Sequence, residues 1–366
     1  MSNPRRQHFI PKSYLKNFAY AEDDKYFVEA KLKSEDAPKE KLISIRSICV
    51  DKNIYTIPDV EGNEKYEIER YYASEIDNIY PNIYRLLIDE KHTNITSEER
   101  RQIILTTMSL FFRTPKFLNF NEKRIDKILN SVVSNHKEQT EKIRIQFNDQ
   151  PLEFFAEDVE MVRNDLYIKN KQNFLSQHLK DLHEFVEFKM DAGLMVMTIQ
   201  DDIDLITSDN PVYMHSITNQ RFNVFDPTNI IQVHLDNKHY LIIYPNTEEA
   251  LVDRVFRATQ DYRAVLTANL QVEKNSEDWI LGKPGTVHAH LKDQIKYNEI
   301  TPENILMVQN LAEQATDMKE LVTFMEAHGL GNPATIKKME DLLQKPLHHN
   351  NLQLKAEYEE IKKLGY

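Results

Sequence analysis

Glycine is scarce in this chain, seven in 366 residues, and neither G-x-x-x-x-G-K-[ST] nor G-x-G-x-x-G occurs. Backbone nests that cradle nucleotide phosphates depend on such glycines, so a P-loop or dinucleotide-binding fold is not expected. Cysteine is scarcer still. Cys49 stands alone; it can close no internal disulfide and supply no thiolate zinc cluster, and it reads as a small buried apolar side chain in a reducing, cytoplasmic setting. No stretch approaches the roughly eighteen apolar residues that cross a bilayer. The opening residues, Met1 to His8, are polar and charged with no apolar run behind them, so neither export nor a membrane partner is expected.

Charge of one sign is also in deficit: 46 basic against 58 acidic residues leave −12. That field opposes sequence-blind adhesion to DNA or anionic lipid but leaves room for a local basic cleft. At this length the chain can bury a sizeable core in one large domain or two. We expect an α+β protein, mainly α-helical with a small antiparallel β-sheet region: one domain over 1–300, with strands at about 25–57 and 193–245, and a C-terminal helical extension over 301–366.

Residues 25–32, 41–46 and 53–57 are β-branched or aromatic and partly alternate, as strands do. From Tyr66 the period becomes helical through Ile68, Tyr71, Ile76, Ile79, Ile83 and Leu86, with Pro81 opening a second piece. Thr96 and Glu99 have capping-box spacing ahead of an apolar helix, which Thr114 and Pro115 interrupt. Long helices are expected over 116–144 and 169–190. Segments 193–199, 204–206, 232–235 and 240–244 read as an antiparallel meander, after which helices return from about Thr247.

Three blocks carry residue types suited to chemistry. In the first, His8 precedes Pro11, which can open a helix; an imidazole there could act as acid, base or phosphate partner, or simply satisfy backbone groups of a segment docked by Phe9, Tyr14, Leu15 and Phe18. In the second, Arg113 ends the apolar helix, where its planar fork stabilises the carbonyl end or binds phosphate or carboxylate. The third runs from Thr207 through Ser208, Asp209 and Asn210 to Pro211. Asp209 and Asn210 there cap their own backbone, or Asp209 serves as base or metal ligand while Ser208 and Asn210 donate to a substrate oxygen. His178 and His183, five apart, miss the spacing of a helical zinc pair. Asp201, Asp202 and Asp204 lack the glycine and terminal glutamate of a calcium loop. Arg100, Arg101, Arg113, Lys116, Lys123 and Arg124 read as an ion-paired helix surface, because Glu98, Glu99, Glu122 and Asp126 lie among them.

Taken in order, His8-Phe-Ile-Pro-x-x-Tyr14-Leu15-x-x-Phe18, Arg113-Thr-Pro115 and Thr207-Ser-Asp-Asn-Pro211 resemble the signature blocks of a mainly bacterial family, domain of unknown function 4238, over roughly the first 270 residues. The resemblance implies a shared fold and a site assembled from His8, Arg113 and the Ser208–Asn210 turn, with Asn269 as the family's later asparagine. It also associates the chain with mobile and defence-linked bacterial genes. Two functions stay open. One is a hydrolase of a phosphate-containing substrate, nucleic acid or nucleotide, with His8 and Asp209 catalytic, Arg113, Ser208, Asn210 and Asn269 holding substrate, and a divalent metal as candidate cofactor. The other is a non-catalytic binding or regulatory module whose acidic helical surface meets a protein partner. The enzyme requires His8, Arg113 and Asp209 to face one open cleft.

Overall fold

A computed structural model of the chain describes residues 6–34, 39–57, 60–136, 142–147, 150–200, 202–216, 223–247, 251–260 and 262–298. The expected extension over 301–366, including His348 and His349, lies outside the described residues, as does Asp201.

Two five-stranded sheets frame the molecule. In one, Val212–Ser216, Asn229–His234, His239–Asn246 and Ala192–Ile199 pair antiparallel in that spatial order, and Val255–Gln260 joins the last of them in parallel. In the other, Lys25–Leu32 pairs with Tyr20–Glu22, Lys41–Ser44 and Trp279–Gly282, and Trp279–Gly282 pairs in turn with Thr207–Ser208. Arg6–His8 pairs with Val50–Lys52. The apolar helix Ser97–Phe112 packs against Val159–Phe188, and a continuous core joins them to both sheets through Tyr14, Phe18, Ile104, Phe112, Phe185 and Leu241.

The capping box forms as expected. Thr96 Oγ1 accepts from the Glu99 amide at 3.2 Å and Glu99 Oε2 accepts from the Thr96 amide at 2.8 Å, which satisfies two otherwise orphaned donors of the first turn. Glu29 does the same work at long range, accepting from the Val287 and His288 amides at the start of the Thr286–Asn298 helix. That helix crowds Gly282, where an added Cβ would lie 3.2 Å from Thr286 Cβ and 3.3 Å from Val287 Cγ2.

Several expectations need correction. The described residues are mixed rather than mainly helical, with about 45% helix and 27% strand. Strands beyond the meander account for this: Ile143–Phe147 and Gln150–Phe154 form a hairpin in a stretch to which no element was assigned past 144, and Val255–Gln260 and Trp279–Gly282 lie where helices were expected to dominate. Each is held by partners far away in sequence, which local periodicity does not report. Residues 53–57 form no strand, since Asn53 turns left-handed at φ 54°. Residues 204–206 are likewise irregular; the strand begins at Thr207 because side-chain and loop groups, Asn269 Oδ1 and the Asn237 carbonyl, take the Ile206 and Leu205 amides. The helix expected over 116–144 divides into Pro115–Leu118 and Phe120–Asn135, and the one expected over 169–190 starts earlier, at Val159.

Candidate functional site

The first block is stitched into both sheets. Gln7 is fully buried, and its Oε1 accepts from the Tyr55 amide at 2.8 Å. Pro11, extended at φ −60° and ψ 143°, turns the chain into Lys12–Leu15. From that turn the Tyr14 hydroxyl reaches the His234 carbonyl at 2.8 Å and shares a 2.7 Å bond with Thr207 Oγ1. Asn17 donates to the Leu235 carbonyl at 3.1 Å. The half-buried His8 imidazole points elsewhere: Nε2 lies 3.0 Å from the Ile45 carbonyl and so donates to it. Burial pushes its pKa below the ordinary value, the Ile45 bond opposes this, and the nearby charges of Lys12, Arg113 and Arg6 add to the depression.

Arg113 follows the helix Ser97–Phe112 and is 2% exposed. Its Nη1 donates to Asp77 Oδ1 at 2.7 Å, and its Nη2 donates to the His8 carbonyl at 2.7 Å. The Tyr72 ring lies 4.3 Å from the guanidinium carbon, and the Tyr55 hydroxyl donates to the Arg113 carbonyl at 2.5 Å. Burial works against the charge, but Asp77 together with the Tyr55 and Tyr72 hydroxyls outweighs it, so the guanidinium is held firmly charged. Two of its donor directions are therefore committed to partners within the chain.

In the third block all side chains are buried. Asp209 accepts from the Glu277 amide through Oδ1 at 2.9 Å and from the Asp278 and Trp279 amides through Oδ2 at 2.7 and 3.0 Å. It anchors the turn that leads into Trp279–Gly282. Burial raises its pKa, and these amide bonds only partly offset the rise. Ser208 Oγ accepts from the Asn210 amide at 3.1 Å. Asn210 Nδ2 donates to the Asn275 carbonyl at 2.9 Å, and Asn275 Nδ2 returns bonds to the Asn210 and Val212 carbonyls. Asn269 clamps the irregular segment before the block, accepting from the Ile206 amide and donating to the Asp204 carbonyl, both at 3.0 Å.

The first block thus bonds to both of the others, and all three border a common cleft of about 410 Å3. Phe9, Pro115 and Asp209 line it, together with Cys49, Lys116 and Trp279. Among the described residues, His8 and Arg113 do not line it. Its solvent-facing charges are mostly acidic: Asp51, Glu277 and Asp278 are exposed, and Glu277 pairs with Lys116 at 3.5 Å and with Lys123 at 3.2 Å. Cys49 is buried in a left-handed conformation, φ 54°, and burial, reinforced by Asp209, pushes its thiol well above the usual range, which makes it a poor nucleophile. Among the described residues no group of three or more His, Cys, Asp or Glu side chains is placed to hold a metal ion.

The sequence named Tyr14 only as a docking residue, and Asp77, Asn275 and Trp279, which hold or border these blocks, were not among the candidates. The one tryptophan of the chain was a usable signal; Asp77 and Asn275 carry none, being ordinary polar residues on helices. Arg100, expected on an ion-paired surface, is buried and donates to the Val252 and Ala192 carbonyls at 2.6 Å. His178 is buried and stacks 4.6 Å from Phe174, and His183 bonds the Tyr71 hydroxyl at 2.6 Å.

A family model described as protein of unknown function (DUF4238) matches residues 6–286. No curated protein and no solved structure matches the chain.

Proposed function

We propose, for a chain that belongs to the DUF4238 family, that it is a non-catalytic recognition module whose cleft receives an arginine or lysine side chain of a protein partner. The carrying observation is the cleft itself: an acidic rim of Asp51, Glu277 and Asp278 around apolar and aromatic walls that include Phe9, Ile48 and Trp279. Such a surface suits a group with an apolar stem and a cationic head. The Trp279 ring already attracts the Lys41 ammonium, 5.7 Å from its centroid. Phosphoester hydrolysis asks for a free proton acceptor and a free anion-holding donor meeting one substrate. His8, Arg113 and Asp209 instead serve three different internal partners, and an acidic rim repels phosphate.

Because Trp279 is the chain's one tryptophan, its fluorescence reads the cleft directly. Titration with a short arginine-rich peptide is expected to give a saturable change that weakens with salt. Asp51→Asn and Asp278→Asn are each expected to weaken it by about 3- to 10-fold without moving the unfolding midpoint. An unresponsive Trp279, together with cleavage of a nucleic acid or nucleotide by the purified chain in the presence of a divalent metal, would replace this reading by the hydrolase.

A further inference from the structure

A second pocket opens on the other side of the first block, and its chemistry is opposite. It encloses about 260 Å3 between the turn bearing Lys12, Ser13 and Lys16, the strand residue Tyr26, and Ile45–Arg46 after the strand Lys41–Ser44. We infer that this pocket is an anion site for the phosphate group of a small phosphorylated ligand.

Three observations carry the inference independently of the acidic cleft. Lys12 and Lys16 stand one helical turn apart and therefore on the same face, and Arg46 faces them from a separate segment across the pocket. Among the described residues none of these three forms an ion pair, and the one acid in the lining, Asp24, leaves a net charge of two. In a chain with a net charge of −12 this is a local reversal of sign. Second, the Ser13 hydroxyl oxygen is buried and has no hydrogen-bond partner, a costly arrangement unless a ligand completes it. Third, Ile45 and the Tyr26 ring, over which the Lys16 ammonium sits at 4.6 Å, supply an apolar floor for an organic remainder.

Phosphate matches this set better than carboxylate. Its oxygens can accept from two ammonium groups, a guanidinium fork and a hydroxyl at once, and its double negative charge balances the lining. The volume lies below the roughly 300–1,000 Å3 of pockets for drug-sized ligands, which selects a single phosphate with a small remainder over a polymer.

Calorimetric titration of the full chain tests this with four probes: inorganic phosphate, a nucleoside monophosphate, acetate, and a short oligonucleotide lacking terminal phosphates. Inorganic phosphate and the monophosphate are expected to bind saturably and acetate far more weakly. Ser13→Ala is expected to cost roughly 10-fold in phosphate affinity, while the ligand-free protein melts at the same or a higher temperature because an orphaned hydroxyl is gone. Lys12→Gln and Arg46→Gln should each weaken binding several-fold, most at low salt. Absence of phosphate binding, acetate binding of equal strength, indifference to all three substitutions, or binding of the oligonucleotide alone would each overturn the assignment.

Discussion

Arg113 Nη2 and the His8 carbonyl, 105 residues apart, are joined by a 2.7 Å hydrogen bond. What Arg113 requires from His8 is thus its backbone, and the two residues differ sharply in what their side chains hold together. Arg113→Met leaves the partly exposed Asp77 and the His8 carbonyl without their donor and is expected to destabilise by about 3 kcal/mol. Arg113→Lys cannot fork to both acceptors and should recover only part of the loss. His8→Ala removes one bond to the Ile45 carbonyl and should cost about 1 kcal/mol. Urea unfolding of the three variants measures the order, and a His8→Ala penalty equal to that of Arg113→Met would contradict it.

Asp209→Ala orphans the Glu277, Asp278 and Trp279 amides together. With about 1–3 kcal/mol for each buried donor left unmade, partly relieved by water entering from the cleft, a loss of about 3 kcal/mol or more is expected. Trp279 lies inside the affected turn, so its emission should shift to the red before global unfolding. Unchanged emission and stability would mean that the turn stands without its carboxylate.

Two buried histidines contribute to acid sensitivity. His178 and His234 are both depressed to about 4, chiefly by burial. His234 is fixed as the Nδ1–H tautomer, since Nδ1 faces the Ile206 carbonyl at 2.6 Å while Nε2 lies 3.1 Å from the Gln232 amide group. A histidine whose folded pKa lies below its unfolded 6.5 takes up its proton on unfolding, so stability is complete above about 6.5 and declines as the pH falls towards about 4. His178→Phe, which preserves stacking on Phe174, should flatten the dependence of the urea midpoint on pH across that window. An unaltered slope would place the acid sensitivity elsewhere.

Lys189 acts in the opposite range. It is fully buried, with Nζ 3.2 Å from the Asn229 carbonyl and 3.4 Å from that of Pro227. Burial lowers its pKa to about 8 against the ordinary 10.5, with Asp226 opposing the shift. The unfolded chain holds this proton more tightly, so the Lys189 contribution becomes more favourable as the pH rises from about 8 towards 10. Subtracting the denaturation profile of Lys189→Met from that of the parent over this interval isolates the gain, and a difference of opposite slope would refute it.

The places where sequence reading succeeded share a physical cause. The Thr96–Glu99 box, the helix opened by Pro81 and the strand Lys25–Leu32 are specified by neighbours within a few residues, and they form where expected. Residues 204–206 were misread because their amides go to Asn269 and Asn237, contacts of 63 and 32 residues in separation that no local period encodes. Val255–Gln260 is a strand only because Ala192–Ile199 offers it an edge.

By itself, the sequence determined the exclusions: too few glycines for a phosphate-cradling loop, one cysteine, no long apolar span, and three polar blocks worth watching. Only the tertiary structure decided what those blocks do. It turned the His8 imidazole to a carbonyl, Arg113 to Asp77 and Asp209 to a turn near Trp279, and it left an acidic cleft and a basic pocket formed by residues around them. The reason is that a residue type limits which bonds a side chain can make, whereas the choice among buried partners belongs to whichever donors and acceptors the folded chain brings within reach.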